Sequence, residues 1–99
     1  MSLGFNEMSG PFKYYYQAAA AANVVVKNKP GILKSIIVGA ATGSSVIEVS
    51  DHASDGDGNV QIYLAGDTIG PRVYEVNAEF TTGITADITN QANCTFVFK

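Results

Sequence analysis

From Val60 to the last residue, apolar and polar side chains alternate with a period of two in four successive segments. In "VQIYLA", Val60, Ile62 and Leu64 fall on one face and Gln61 and Tyr63 on the other. In "RVYEVNAEF", Tyr74, Val76, Ala78 and Phe80 oppose Val73, Glu75, Asn77 and Glu79. "ITADIT" sets Ile84, Ala86 and Ile88 against Thr85, Asp87 and Thr89, and "CTFVFK" sets Cys94, Phe96 and Phe98 against Thr95, Val97 and Lys99. Successive side chains of a strand point to opposite faces, so this pattern predicts half-buried strands, and none of the four shows helical spacing. The first half reads the same way with less regularity. "VVVK" (24–27) and "ILKSIIV" (32–38) are rich in β-branched residues and are separated by the turn signal "NKPG"; "VIEVSD" (46–51) follows a small-residue stretch, "GAATGSS".

Turn chemistry recurs at residues 28–31, 39–45, 51–59, 66–71 and 90–93. Short strands in that rhythm describe an all-β sandwich or a small barrel, and we read a single β-sandwich of seven short antiparallel strands, eight if "KYYYQA" is extended. "YYYQAAAAA" is the ambiguous segment. Alanine has the highest helix propensity, but the run is too short to hold a helix without tertiary support, and three tyrosines favour an extended chain. Residues 1–22 are therefore read as an N-terminal arm or edge strand and residues 23–99 as the sandwich domain.

Composition agrees with one folded domain. Of the 99 residues 46% are hydrophobic and 15% charged, which sets the chain apart from disordered sequences. The net charge of −3 gives no electrostatic reason to expect nucleic acid or an anionic membrane as a partner. Its distribution is uneven: Lys13, Lys27, Lys29 and Lys34 lie in the first third, whereas eight of the nine acids follow position 47. Such a distribution fits either complementary contact between neighbouring copies or charges scattered over two sides of a small domain. Cys94 is alone, which excludes an internal disulfide, and "MSLGFNEMSGPF" has neither the basic nor the apolar region of a secretory signal. A soluble protein made in a reducing cytoplasm is expected.

The densest candidate chemistry is "SDHASDGDGN" (50–59), with the single histidine and three carboxylates. Asp55, Asp57 and Asn59 match the first alternate positions of an EF-hand loop, but Val60 stands where its glycine is needed and Gly66 where its bidentate glutamate is needed. A looser Ca²⁺ loop would use Asp51, Asp55 and Asp57. One histidine and one distant cysteine do not make a zinc site. Ser50 or Ser54 with His52 and an aspartate could be written as a triad, but a triad is defined by geometry, and no nucleophile elbow accompanies them. The two Asp-Gly pairs instead predict a solvated hairpin tip, since both residues tolerate positive φ. No phosphate loop is present. The reading is a non-enzyme without a cofactor.

Three adjacent tyrosines cannot all face one core, so at least one looks outward, either toward a partner or as a cap on the sandwich edge; Tyr14, Tyr15 and Tyr16 are the candidate interface residues. Val73 and Val97, apolar on outward faces, join them as candidates for contact with another subunit.

The succession "KPGILKSIIVGAATGSSVIEVSD", then "GPRVYEVNAEFTTGITADITN" and "CTFVFK", resembles small structural proteins of tailed bacteriophages and prophages, over residues 24–99. The resemblance implies a jelly-roll-like sandwich made in the host cytoplasm and carried on the virion. It further implies a capsid decoration (cement) protein, a homo-oligomer such as a trimer, that binds between subunits of the major capsid protein. The rival expectation is a carbohydrate- or receptor-binding β-module of a phage tail, which would place Tyr63 and Tyr74 beside the aspartate loop.

Overall fold

A computed structural model describes residues 11–42, 44–65, 71–90 and 92–99. The turn expected over 66–71 falls outside these residues except for Pro71, as does the arm expected over 1–22 up to position 10. The described residues form eight strands: β1 (Lys13–Gln17), β2 (Ala21–Lys27), β3 (Gly31–Ala40), β4 (Val46–Asp51), β5 (Val60–Ala65), β6 (Arg72–Phe80), β7 (Ile84–Thr89) and β8 (Asn93–Phe98). They form two four-stranded antiparallel sheets packed as a sandwich. The first has the order β1-β8-β3-β6 and the second β2-β7-β4-β5. Consecutive strands change sheet at every connection except β4 to β5, so neighbours in space are mostly distant in sequence.

The tyrosine run is an edge strand, with Lys13 opposite Phe98 and Gln17 opposite Cys94. The alanine run makes no helical turn. The chain crosses between sheets at residues 18–20, and Ala21 and Ala22 already belong to β2. Pairing to a partner strand supplies the tertiary support that decides this segment against alanine's helix preference.

The inward faces follow the alternation closely. Leu33, Ile36, Val38, Phe80, Cys94, Phe96 and Phe98 come from the first sheet, and Val24, Val26, Ile47, Val49, Ile84, Ala86 and Ile88 from the second. Ile62, Leu64, Tyr74, Val76 and Ala78, on the edge strands, pack against this core from its rim. Burial pushes the Cys94 thiol up to about 12, so it stays protonated and behaves as a small apolar side chain.

The less regular first half has a structural cause. β3 carries an extra residue at Lys34 relative to β8, since Leu33 faces Phe98 and Ser35 faces Val97. Against β3, β6 carries its own extra residue between Ala78 and Glu75. Such bulges switch which face a residue addresses, so "ILKSIIV" cannot alternate cleanly. Asparagine accommodates the local left-handed backbone: Asn23 (φ 54°) lies within a register shift of β2, Asn77 (φ 51°) within that of β6, and Asn90 (φ 58°) follows β7.

Phe96 is fully enclosed, with Tyr15 and Ile36 as its cross-strand neighbours. Phe96→Ala should lower the stability by about 3–5 kcal/mol, measured by urea denaturation, because the rigid sandwich can close only part of the cavity.

Candidate functional site

The loop between β4 and β5 joins an antiparallel pair, as expected of a hairpin, and Ser54, Asp55, Asp57, Gly58 and Asn59 are exposed, but Gly56 is buried. The loop folds back over the outer face of the second sheet. At its start, Asp51 accepts hydrogen bonds from Thr81 N (3.0 Å), Thr81 Oγ1 (2.9 Å), Thr82 N (2.8 Å) and Gly83 N (3.3 Å), which ties down the turn between β6 and β7. Burial alone would raise the Asp51 carboxyl, but these donors together hold it below its ordinary 3.8. His52 Nδ1 accepts from Ser54 N (3.1 Å) and Asp55 N (2.9 Å), so the imidazole stabilises the loop's own bend. Its carbonyl accepts from Thr85 Oγ1 at 2.7 Å.

Gly56 is the point of closest approach. Its carbonyl accepts from the buried Ser50 hydroxyl, and its N–H donates to Asn23 Oδ1 at 2.9 Å. Asn23 in turn donates its own N–H to Asp87 Oδ1 at 2.7 Å. A Cβ on Gly56 would collide with the Asp87 carboxylate and meet the Ala86 backbone at 3.0 Å. Among the described residues no glycine has positive φ. The expectation that the Asp-Gly pairs serve a positive-φ turn is therefore corrected: Gly56 is needed for backbone proximity and Gly58 for the space taken by the His52 ring.

Docking the loop brings Asp57 beside two carboxylates that its sequence neighbours do not reveal. Glu48 of β4 lies directly opposite Asp87 of β7, and one oxygen each of Glu48, Asp57 and Asp87 lie within 4.8 Å of one another. Tyr63 of β5 faces Glu48 across the adjoining pair and is 60% exposed. The Asp57 carboxyl is pushed up to about 6, first by its hydrogen bond to Asp87 and that group's charge, then by desolvation and by the charges of Glu48 and Asp55. Two carboxyl groups that share one proton behave in this way.

The Ca²⁺ loop of Asp51, Asp55 and Asp57 does not assemble as such. Asp51 is committed to the 81–83 turn, and Asp55 Oδ1 accepts from Asp57 N at 2.9 Å. Asp57 alone of the three joins a carboxylate cluster, and its partners come from strands. The reason sequence reading missed Glu48 and Asp87 is that each sits at an ordinary polar position of an alternating strand. Likewise Ser50 and His52 turn to backbone partners and not to each other.

The outer face of the first sheet carries the tyrosine candidates. Register places Tyr14, Val97, Ser35 and Glu75 side by side across the four strands, and Tyr16, Thr95, Ile37 and Val73 in the adjacent line. Tyr14 is 70% exposed, Tyr16 62%, Val73 50% and Ile37 37%. Two candidates differ from expectation. Tyr15 points inward, half-buried against the core. Val97 lies on the outward face of β8 but is buried. It fills the floor between Tyr14 and Ser35 and offers little surface of its own.

No family model, curated protein or solved structure matches this chain.

The two aspartates should respond to pH with opposite sign. Asp57 binds its proton more tightly folded than unfolded, so its contribution favours folding at low pH and is lost as pH rises from 3.8 through about 6. Asp57→Asn should therefore melt at a higher temperature than the parent at pH 7.5 and at the same temperature near pH 3. Asp51, held low, contributes stability above its ordinary 3.8 that is lost as pH falls below it. Asp51→Ala should cost about 1–3 kcal/mol at neutral pH, with the difference shrinking in acid. Thermal melts of the two variants across pH check both signs.

Proposed function

We propose that this protein is a virion structural protein of a tailed bacteriophage, a capsid decoration protein that stabilises the head by binding between major capsid subunits. The observation that carries the reading is the apolar outer face of the first sheet. Seven large hydrophobic side chains are exposed among the described residues, and four of them, Tyr14, Tyr16, Ile37 and Val73, stand together there. Tyrosine combines apolar area with a polar tip, which suits a surface that is wet before assembly and covered after it. A clustered apolar face on a small β-sheet supports contact with another protein, where scattered single residues would not.

The strand order supports the jelly-roll arrangement within this reading. β8 returns to lie between β1 and β3, and β7 returns to lie between β2 and β4, the nesting that two interlocked Greek keys produce. The acidic net charge favours protein partners over nucleic acid or an anionic bilayer. Assembly as a homo-oligomer, such as a trimer, belongs to the same proposal.

A second reading, a carbohydrate- or receptor-binding module of a phage tail, is favoured by one observation: exposed Tyr63 stands beside Glu48, with Asp87 next in line. An aromatic ring adjoining carboxylates can stack on a sugar while its hydroxyls are hydrogen-bonded. Tyr74 does not join it, since it packs toward the core from β6 with the Arg72 guanidinium 5.1 Å from its ring.

Co-sedimentation with empty capsid shells of the parent phage tests the decoration reading. The parent protein should pellet with shells. Combined Tyr14→Ser, Tyr16→Ser and Val73→Asp should weaken this at least about tenfold, with stability changed by about 0.5 kcal/mol or less per exposed site. Failure of the parent protein to bind shells, together with glycan-array binding that Tyr63→Ala abolishes, would favour the tail module.

A further inference from the structure

The fold gathers lysines that the sequence spaces apart. Lys13 opens β1 opposite Phe98, Lys27 closes β2 opposite Ile84, and Lys29 lies in the connection to β3. All three line one cleft of about 430 Å³ whose walls include Val25, Val26 and Phe98. Among the described residues no carboxylate lines it and none of the three lysines forms an ion pair, whereas Lys34, farther along β3, pairs with Glu75 at 3.7 Å. A cleft walled by charges of one sign focuses a positive potential and draws in an anionic group.

The complementary surface is on the same chain but on a different part of it. Glu48, Asp57 and Asp87 crowd the outer face of the second sheet, and none of them forms an ion pair with a described residue. Each half of the match is thus left without an ion-pair partner among the described residues. The cleft also offers the partly exposed Val25, so contact there would cover apolar area as well as charge.

We infer that the lysine-lined cleft at the β2–β3 end receives the acidic outer face of a second copy of this chain. Two different surfaces of each protomer then meet, a heterologous contact that closes into a ring when the rotation between copies permits. Opposite charge sets the orientation and speeds the encounter, while the apolar face of the first sheet stays free to meet the shell. The inference deepens the homo-oligomer part of the proposed function and rests on it.

Sedimentation velocity on the full chain tests it. The parent protein should self-associate, and raising NaCl from about 0.05 to about 0.5 M should weaken association about tenfold or more. Lys27→Glu with Lys29→Glu, and separately Glu48→Lys with Asp57→Lys, should each abolish self-association. Mixing the two charge-reversed proteins should restore a complex, which a merely misfolded variant could not do. A parent protein that stays monomeric overturns the inference. So does association that survives both reversals, or a mixture that fails to associate although circular dichroism shows both variants folded. Shell co-sedimentation run in parallel separates this outcome from failure of the decoration reading, because the shell-facing residues are not among those changed.

Discussion

Everything on the two outer surfaces depends on how the last two strands are inserted. β8 forms hydrogen-bonded ladders with both β1 and β3, and β7 with both β2 and β4. Each sheet is therefore closed through its middle by a strand from the C-terminal end of the chain, and the inward residues of those strands, Phe96 and Ile84 among them, are fully buried. Burying such side chains supplies about 1.5–3 kcal/mol each, set against the entropy of ordering a chain whose contacts are mostly long-range. Until β7 and β8 are in place, neither apolar inner face has its full width. Nor do the two outer faces yet exist as surfaces.

With those strands in place, the two outer faces become chemically different. On the first sheet, the central β8 places Thr95 between Tyr16 of β1 and Ile37 of β3, with Val73 of β6 beyond, and Val97 between Tyr14 and Ser35. On the second, β7 and β4 bring Asp87 against Glu48, and the returning loop adds Asp57. The exposed apolar cluster and the carboxylate cluster thus lie on opposite sides, with lysines at the β2–β3 end. Under the proposed reading, such a body could use one face for the shell and the charged regions for its own copies.

The loop shows how local polar chemistry is bent to a tertiary purpose. Asp51 holds the neighbouring turn, His52 and Asp55 shape the loop internally, and Gly56 lets the backbone settle against β7. The stability of that docking is opposed by the crowding of Asp57 against Asp87 and Glu48, an unfavourable arrangement at neutral pH that one shared proton relieves.

The alternating pattern by itself determined the class of fold, the inward sets of β6, β7 and β8, and the presence of turns, because a strand's two faces are written at every second residue. It also marked Val73 as outward, and it required at least one of Tyr14, Tyr15 and Tyr16 to look outward without saying which. Strand order was decided only in three dimensions, since alternation says which face a residue addresses and not which strand lies beside it. For that reason Val97 proved buried, Tyr15 turned inward, and the acidic cluster recruited Glu48 and Asp87 in place of Asp51 and Asp55. The bulges at Lys34 and Asn77 were equally hidden, because a shift in register arises from the pairing of two strands and leaves no period in either one alone.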